Sequence, residues 1–534
     1  MFKLPIQYGN HHELPSSVAQ DLELVDVHGL EPICDKIFLP KTEEAKRMAR
    51  ESMKYYTTNT TFLKESIQLY RKPFQSIDIL PFTEKWDAMK NNKEFKTTYH
   101  YIESSWLSGA NYSPAVLLFI SAYFVSSPII CILTPFVMLL IPFVLLHSQG
   151  TEITWDTYYE LFKQVASTHS LGKLFFKFGE ANPEQRMYIV LGAVFFAIQV
   201  YANVYNFYTF YMNMRHTIKV LTDTESYLKD TIDSMKEMEK AIEGLTTYTS
   251  FGVDMLHHRE KLEAFYQKIS PVTYSSMNAG ILRAHFYELY DNSDLEESLI
   301  YSVSYHGFLQ NSIQMSKNLK KRMKACVFGT KTEFKGAYYP IEKPIKNSYG
   351  VKNMILTGPN ASGKTTFIKT TMINSILSQQ LGCGFYRSAT LQPYDTFFSY
   401  INIPDTSGRD SLFQAEARRC KEIVDHLETH ERTLCIFDEL FSGTNPVEAT
   451  SSTIALLSYL AKYPTFTFLL TTHFTDVCEN LKESIPMYRM KTDTQPLKYH
   501  YKMEKGISYV RGGNIVLETM GFPEEILKHG AVCG

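Results

Sequence analysis

Two long apolar stretches stand out in the pattern of hydrophobic and polar positions along the chain. No Asp, Glu, Lys or Arg occurs between Glu103 and Glu152, and none occurs between Arg186 and Arg215. A helix of a soluble domain still carries charged residues on its outer face every three or four positions. Their absence favours membrane insertion over a buried helical hairpin, and each stretch can cross a hydrocarbon core of about 30 Å.

We predict contact with lipid over residues 113–146 and 187–207. Pro128, Pro135 and Pro142 recur at intervals of seven, so the first stretch is either one bent span or a tight hairpin. The membrane region therefore holds two or three hydrophobic helices, and we favour two crossings. No charged segment followed by a short apolar core opens the chain, so we expect no cleaved signal peptide.

Helical periodicity flanks the membrane region, and an α/β pattern follows. Leu221, Leu228, Met235 and Ile242 repeat every seven residues, as expected for a long packed helix. Four segments result: a helical N-terminal region (1–103), a membrane region (104–215), a helical core region (216–335) and an α/β domain (336–534).

The α/β segment contains a predicted phosphate-binding loop. It follows the apolar run Met354-Ile-Leu356 and fits the pattern G-x-x-x-x-G-K-[ST]. Its predicted nucleotide contacts are Gly358, Pro359, Asn360, Ala361, Ser362, Gly363, Lys364, Thr365 and Thr366. Such a glycine-rich turn lets backbone N–H groups surround a phosphate at the N-terminus of the next helix, here from about Lys364 to Leu381. Lys364 would neutralise phosphate oxygens, and the Thr365 hydroxyl would bind Mg²⁺.

Two further strand ends complete the predicted site. Leu434-Cys-Ile-Phe437 is typical of a buried parallel strand, and it ends in Asp438 and Glu439. We predict Asp438 as a Mg²⁺ ligand and Glu439 as the base for the attacking water. A third apolar strand, 466–472, ends at His473, which we place beside the terminal phosphate. The alternatives are a helix cap or a solvated turn for the carboxylates and a structural role for the histidine.

These ordered motifs resemble the ATPase domain of the MutS family from about Tyr339 to the C-terminus. Thr357-Gly-Pro-Asn360, Asp438-Glu-Leu-Phe-Ser-Gly-Thr444 and Thr471-Thr-His473 carry the resemblance, and the segment from Ser407 to Glu416 is similar to the family's signature loop. The resemblance implies an α/β P-loop NTPase fold with an ABC/MutS-like parallel sheet, ATP and Mg²⁺ as cofactors, and a composite site in a homodimer. Ser411 is then the residue that reaches the partner's nucleotide.

The resemblance also implies C-terminal dimerisation helices, similar to 506–527 here, and helices that act as levers between the ATPase and the client-binding part. Tyr338, Tyr339 and Tyr349 are the candidates for stacking on adenine. Because an ATPase needs cytosolic nucleotide, we expect a membrane protein whose N-terminal region and ATPase domain both face the cytosol. Lysines in the loop between the apolar stretches weaken the positive-inside argument for this orientation.

Composition limits the possible clients without choosing one. The 534 residues carry a net charge of −2, so no global polyelectrolyte character points to nucleic acid, and the eight cysteines form no CxxC pair. Phe286-Tyr-Glu288 resembles the aromatic-x-Glu wedge of MutS-type mismatch sensors, but helical packing explains the same spacing. The basic run from Lys317 to Lys324 fits a solvated helix face better than a contact with DNA or lipid phosphates.

Two hypotheses about function follow. The first is a MutS-like ATPase with duplex DNA as its client, related to mismatch repair and mismatched DNA binding. The alternative is a membrane-anchored mechanochemical ATPase switch that acts on a protein or lipid without recognising mismatches. A transporter ATPase is a weaker option, because the sequence has no LSGGQ-type signature.

Overall fold

The computed structural model describes residues 2–25, 31–148, 150, 152–272, 278–401, 412–494, 497–510 and 520–523. The helices are α1 (Ser16–Asp21), α2 (Ile33–Phe38), α3 (Glu43–Ser52), α4 (Thr60–Tyr70), α5 (Leu80–Lys90), α6 (Phe95–Thr98), α7 (Pro114–Ser148), α8 (Trp155–Ala166), α9 (Ser170–Phe176), α10 (Pro183–Ile242), α11 (Thr249–Ile269), α12 (Ala279–Asp291), α13 (Ser293–Lys321), α14 (Lys364–Leu381), α15 (Leu412–His426), α16 (Pro446–Leu460) and α17 (Thr475–Leu481). Short 3₁₀ helices cover Pro5–Tyr8, Ser105–Tyr112, Thr246–Tyr248 and Leu427–Thr429.

The strands are β1 (His12–Glu13), β2 (Tyr55–Tyr56), β3 (Lys324–Ala325), β4 (Val327–Phe328), β5 (Glu333–Ala337), β6 (Asn347–Gly350), β7 (Met354–Thr357), β8 (Cys383–Gly384), β9 (Ser388–Leu391), β10 (Thr396–Tyr400), β11 (Thr433–Asp438), β12 (Phe466–Thr472), β13 (Met487–Thr494) and β14 (Leu497–Lys505). Two compact units contain these elements. The sheet unit comprises Met1–Ile77, Ser234–His257 and Ile300–Gly534, and the helical unit comprises Asp78–Asp233 and His258–Leu299. Residues up to 77 thus belong with the sheet, so the predicted segment 1–103 does not coincide with a unit.

A six-stranded sheet in the order β10-β11-β12-β7-β13-β14 forms the centre of the sheet unit. The first five strands are parallel, and β14 pairs antiparallel with β13 at the edge. The predicted apolar runs occupy β7, β11 and β12, where almost every side chain is buried. This arrangement confirms the predicted α/β class with a mainly parallel sheet.

Helix α14 begins at Lys364 and ends at Leu381, as predicted, and every residue from Phe367 onward is buried. The N-terminal segment supplies part of its cover. The Thr57 N–H donates to the Gln379 carbonyl (3.0 Å), and the Gln380 side-chain amide donates to the Met53 carbonyl (2.7 Å). A polar helix can be buried on all sides only when such partners satisfy its amides and hydroxyls.

In the helical unit, α7 runs as one 35-residue helix through all three prolines, so the tight hairpin is excluded. Both α7 and α10 are long and apolar enough to cross a membrane. Each helix has a most apolar window of 18 residues, and the buried share of that window is 11% in α7 and 0% in α10. The core helix of a soluble domain would be mostly buried, and these two windows are not; insertion into a membrane stays a prediction.

Helix α12 packs on the first turns of α7. A Cβ on Gly280 would lie 2.2 Å from the Pro114 carbonyl oxygen, so the helices meet where only glycine fits. The buried Arg283 guanidinium donates to the carbonyls of His100 (2.7 Å) and Leu117 (3.3 Å). Phe286 is fully buried, 5.3 Å from the ring of Phe95. This burial confirms the packing role of the aromatic-x-Glu segment and is incompatible with a base-stacking wedge.

Candidate active site

Three adjacent parallel strands bring the predicted motifs to one edge of the sheet. In the β11–β12 register Asp438 lies opposite Thr471, and in the β12–β7 register Thr472 lies opposite Thr357. The glycine-rich loop follows β7, Glu439 follows β11 and His473 follows β12. Because ligands of such sheets bind at the carboxyl ends of parallel strands, the residues lie where an α/β nucleotide site is expected.

The loop from Gly358 to Gly363 is shaped by close neighbours. A Cβ on Gly358 would lie 2.8 Å from Ser362 Oγ, and one on Gly363 would lie 3.0 Å from the Tyr501 ring. Gly363 also has a φ of 91°, which favours glycine. Ser362 Oγ is buried and has no hydrogen-bond partner among the described residues. An unsatisfied buried hydroxyl in this loop fits a phosphate oxygen as its acceptor.

Lys364 opens α14 and is 5% exposed. Its ammonium group donates to the carbonyls of Gly358 (3.1 Å) and Pro359 (3.3 Å). Burial lowers the pKa of Lys364, and the carboxylates of Glu439 and Asp438 oppose that shift. A buried cation held by neutral carbonyls is well suited to exchange them for phosphate oxygens, which interact with it more strongly.

The predicted metal ligands lie in direct contact. Thr365 Oγ1 donates to Asp438 Oδ2 at 2.8 Å. The other oxygen, Asp438 Oδ1, accepts a hydrogen bond from the Thr471 hydroxyl. One hydroxyl and one carboxylate oxygen are a suitable start for the oxygen shell of Mg²⁺, which keeps several waters. Sequence analysis did not single out Thr471 as a partner of Asp438, although a hydroxyl residue near the end of a core strand was a usable signal.

Glu439 and His473 form the remaining pair. His473 Nε2 lies 2.6 Å from Glu439 Oε1 and 3.2 Å from Lys364 Nζ. The hydrogen bond from His473 lowers the pKa of Glu439 against the opposing effect of burial, so the carboxylate stays ionised. Glu439 has a φ of 54°, an unfavourable backbone conformation for a residue with a Cβ. Its N–H donates to the Thr471 carbonyl (3.1 Å), which helps to fix the turn.

A cavity of about 470 Å³ lies beside the loop and reaches Asn360, Ala361, Thr365, Thr366 and Glu439. Tyr339 and Tyr349 line it and Tyr338 does not. The Tyr349 ring is 8% exposed and its hydroxyl is 2.9 Å from Thr371 Oγ1, so it belongs to the core. Tyr501 on β14 also lines the cavity and is 42% exposed. No sequence motif identifies Tyr501, because only the pairing of β13 with β14 brings it to the loop.

Glu416 on α15 holds the turn after Glu439. One carboxylate oxygen accepts hydrogen bonds from the Ser442 N–H (3.1 Å) and hydroxyl (3.2 Å), and the other accepts from the Gly443 N–H (3.3 Å). Glu416 is 2% exposed, so these bonds form away from water. Ser411, the predicted contact with the partner's nucleotide, lies outside the described residues, as does most of the predicted C-terminal dimerisation segment.

Comparison with protein families gives a match to the part of the chain that contains the candidate active site. Residues 354–532 match the family profile of MutS domain V. The match begins at β7 and includes the glycine-rich loop, Asp438, Glu439 and His473.

Curated relatives match parts of the chain at low identity. The chain is 26% identical over 321 residues to the DNA mismatch repair protein MutS of Petrotoga mobilis, which covers 59% of this chain and 35% of that protein. It is 28% identical over 181 residues to the endonuclease MutS2 of Leuconostoc mesenteroides, covering 33% of this chain and 22% of the relative. It is 25% identical over 337 residues to the human MutS protein homolog 4, covering 58% and 34%. The chain therefore spans about a third or less of the length of these relatives.

Proposed function

Because this chain belongs to the MutS family through its domain V, we propose that it binds and hydrolyses ATP as a membrane-anchored, nucleotide-driven switch. The observation that carries the proposal is the convergence of Lys364, Thr365, Asp438, Glu439 and His473 at one edge of the parallel sheet. No structural role for the folded chain alone requires a buried lysine, a strained Glu and a hydroxyl–carboxylate pair at the same place.

The residues divide the chemistry among them. The loop amides, Ser362 and Lys364 bind phosphate oxygens, and Thr365 with Asp438 holds Mg²⁺, which supplies charge neutralisation when bound. Glu439 accepts the proton of the attacking water, and its ionised state at neutral pH suits that role. His473 orients Glu439. Tyr339 and Tyr501 are the accessible rings that could stack on the base.

A matched pair of substitutions tests this assignment in the full chain. Lys364→Ala should abolish nucleotide binding, because it removes the buried cation. Glu439→Gln should bind ATP and accumulate the ATP-bound state, because it removes the base and keeps the shape. Equilibrium binding of a fluorescent ATP analogue and steady-state phosphate release separate the two effects. Parent-like binding and turnover in both variants would refute the site.

The family membership further supports a homodimer through the ATPase domain, in which Ser411 of one subunit completes the site of the other. A dimer of this kind should form on ATP binding and separate after hydrolysis. Sedimentation of the Glu439→Gln variant with and without ATP tests this. An ATP-dependent dimer supports the composite site, whereas a monomer with full ATPase activity contradicts it.

The exposed apolar surfaces of α7 and α10 support a membrane anchor. The apolar surface of α7 includes Phe119, Ile130 and Leu140, which are 77%, 61% and 63% exposed. Such a surface is larger than a soluble monomer normally leaves in water. We place both ends of the chain in the cytosol, where ATP is present. Alkaline carbonate extraction should leave the chain in the membrane pellet, and release into the supernatant would contradict the anchor.

Duplex DNA is the first client to test, because the relatives include proteins named for DNA mismatch repair. The alternative client is a protein or lipid, and the burial of Phe286 favours it because no mismatch wedge remains there. Stimulation of ATP hydrolysis by paired or mismatched duplexes, measured at several salt concentrations, separates the two. Salt-sensitive stimulation supports a DNA client. Turnover indifferent to DNA supports the switch that acts on protein or lipid.

A further inference from the structure

A second cavity in the sheet unit is lined by cationic side chains and is separate from the candidate active site. We call it the basic cup. It has a volume of about 960 Å³, and none of the described residues that line it is an Asp or Glu. Its six cationic residues are Lys321, Arg322, Lys324, Lys335, Lys346 and Arg387.

The cations of the basic cup come from chain segments far apart in sequence. Lys321 and Arg322 lie at the end of α13, Lys335 lies on β5, and Arg387 immediately precedes β9. The Arg387 N–H donates to the Lys335 carbonyl (2.9 Å), and Lys335 pairs with Ser388 in the β5–β9 register. Sheet pairing therefore fixes the backbone from which these cations project. A solvated helix face, the interpretation favoured from the sequence run alone, does not explain cations converging from a sheet.

The cations of the cup lack the carboxylate partners that several other cations of this unit have in the described part of the chain. Among the described residues, none of the six forms an ion pair, whereas Lys421, Lys482 and Arg489 each pair with a carboxylate. Like charges around one cavity repel each other, and a bound anion removes that repulsion.

The floor of the cup is preorganised by contacts that need no ligand. The Tyr338 hydroxyl donates to the Arg322 carbonyl, and Lys346 Nζ lies 5.4 Å from the centre of the Tyr338 ring. The Arg322 side chain donates to Asn318 Oδ1 (3.1 Å) and to the Lys36 carbonyl. Arg322 is thus held by neutral acceptors, and its charge is not neutralised.

We propose that the basic cup binds a compact cluster of phosphate groups, carried either by a soluble polyphosphate or by an anionic lipid headgroup. Both sources offer the same chemistry, which is several phosphate oxygens for lysine and arginine donors. A concave cavity with cations on several elements fits a compact ligand better than a duplex, whose phosphates follow an extended convex surface. The proposal does not depend on ATP hydrolysis.

Lysine acetylation of the full chain, read by mass spectrometry, tests the cup residue by residue. In detergent, inorganic tripolyphosphate should protect Lys324, Lys335 and Lys346, while exposed Lys352 stays reactive. Protection at Lys364 reports the candidate active site separately. In nanodiscs, protection that appears only when a phosphatidylinositol bisphosphate is added to phosphatidylcholine identifies a lipid headgroup as the source. Protection in either arm supports the proposal.

A triple variant provides the matched control. Lys324→Gln, Lys335→Gln and Arg387→Gln together should weaken tripolyphosphate protection of Lys346 by about tenfold or more, because three charge-assisted contacts are lost. Lys352→Gln, Lys421→Gln and Lys462→Gln remove the same charge outside the cup and should leave it unchanged. No protection in either arm, or equal loss in the control triple, would overturn the proposal. Stronger protection by duplex DNA than by tripolyphosphate at equal phosphate concentration would also overturn it, in favour of an extended nucleic-acid surface.

Discussion

The hydroxyl of Thr471 offers the sharpest test of the proposed metal site, because it contacts the predicted ligand Asp438 and is not itself a predicted ligand. Thr471 is fully buried on β12, and its hydroxyl donates to Asp438 Oδ1, leaving Oδ2 for Thr365. Thr471→Val keeps the branched shape at this position and removes only the hydrogen bond. The Asp438 carboxylate then keeps its charge and gains freedom to rotate.

The expected magnitude follows from the type of bond that is lost. A hydrogen bond to an ionised group contributes about 1.5–3 kcal/mol. Loss of an outer partner of a metal ligand typically weakens metal affinity about 10–100-fold, which corresponds to about 1.4–2.7 kcal/mol. We therefore expect the Mg²⁺ concentration for half-maximal ATP hydrolysis to rise by about that factor, with little change in kcat at saturating Mg²⁺.

The assay is a Mg²⁺ titration of ATP hydrolysis at fixed ATP, with thermal unfolding measured in parallel. Thr472→Val is the matched control, because the Thr472 hydroxyl accepts the Phe474 N–H (3.0 Å), whereas the hydrogen bonds to the Asp438 carboxylate come from Thr365 and Thr471. Thr471→Ser restores a hydroxyl and should recover most of the Mg²⁺ affinity. An unchanged Mg²⁺ dependence in Thr471→Val, or an equal shift in Thr472→Val, would refute the positioning role.

Three further predictions concern stability. Glu65 accepts four hydrogen bonds from the N–H groups and hydroxyls of Thr246 and Thr247, and although burial raises its pKa these bonds lower it overall. The stability that ionised Glu65 contributes is fully present above its ordinary pKa of 4.5 and is lost as the pH falls through its lowered pKa in the folded chain. Glu65→Gln should therefore have a lower free energy of unfolding in urea than the parent at pH 7, and the gap between the two proteins should shrink below about pH 4.5. Glu416→Ala leaves the Ser442 and Gly443 N–H groups without their acceptor and should lower the free energy of unfolding by about 3 kcal/mol; an effect as small as that of Glu422→Ala would contradict this. Gly280→Ala introduces a Cβ that clashes with Pro114 and should lower the free energy of unfolding by about 1–3 kcal/mol, which thermal unfolding in detergent would show as a lower unfolding temperature. Gly109→Ala is the control, because no atom lies within 4 Å of its added Cβ, and it should leave the unfolding temperature unchanged.

The local motifs were predictable because each depends on a short stretch of chain. The loop from Gly358, the carboxylates of Asp438 and Glu439, and His473 all follow apolar runs that fold as β7, β11 and β12. The rule that ligands lie at the carboxyl ends of parallel strands then places them together without knowledge of the strand order. The helix at Lys364 was predictable for the same reason, since its start is part of the motif.

The residues that sequence analysis did not identify reach the site through contacts between segments far apart in the chain, and no short sequence pattern predicts such contacts. Tyr501 reaches Gly363 because β14 returns beside β13, and Glu416 reaches Ser442 across 26 residues of chain. The basic cup was visible in sequence only as Lys321, Arg322 and Lys324, and strand pairing adds the others. Contacts of this kind depend on register and packing, which hydrophobic periodicity does not specify.

The N-terminal segment shows how far the unit that supports the site extends along the chain. A Cβ on Gly382, at the end of α14, would lie 2.5 Å from the Leu63 carbonyl oxygen, so α4 packs against the backbone there. Lys369 in the middle of α14 pairs with Glu23 at 2.9 Å. Helix α14 carries Lys364 and Thr365 at its first turn, so its position sets the position of both side chains. A fragment that begins after the apolar helices would lack this cover and expose a helix whose amides and apolar side chains are otherwise buried. The activity of the site should therefore be measured on the full chain, because residues more than 300 positions before the glycine-rich loop hold its helix in place.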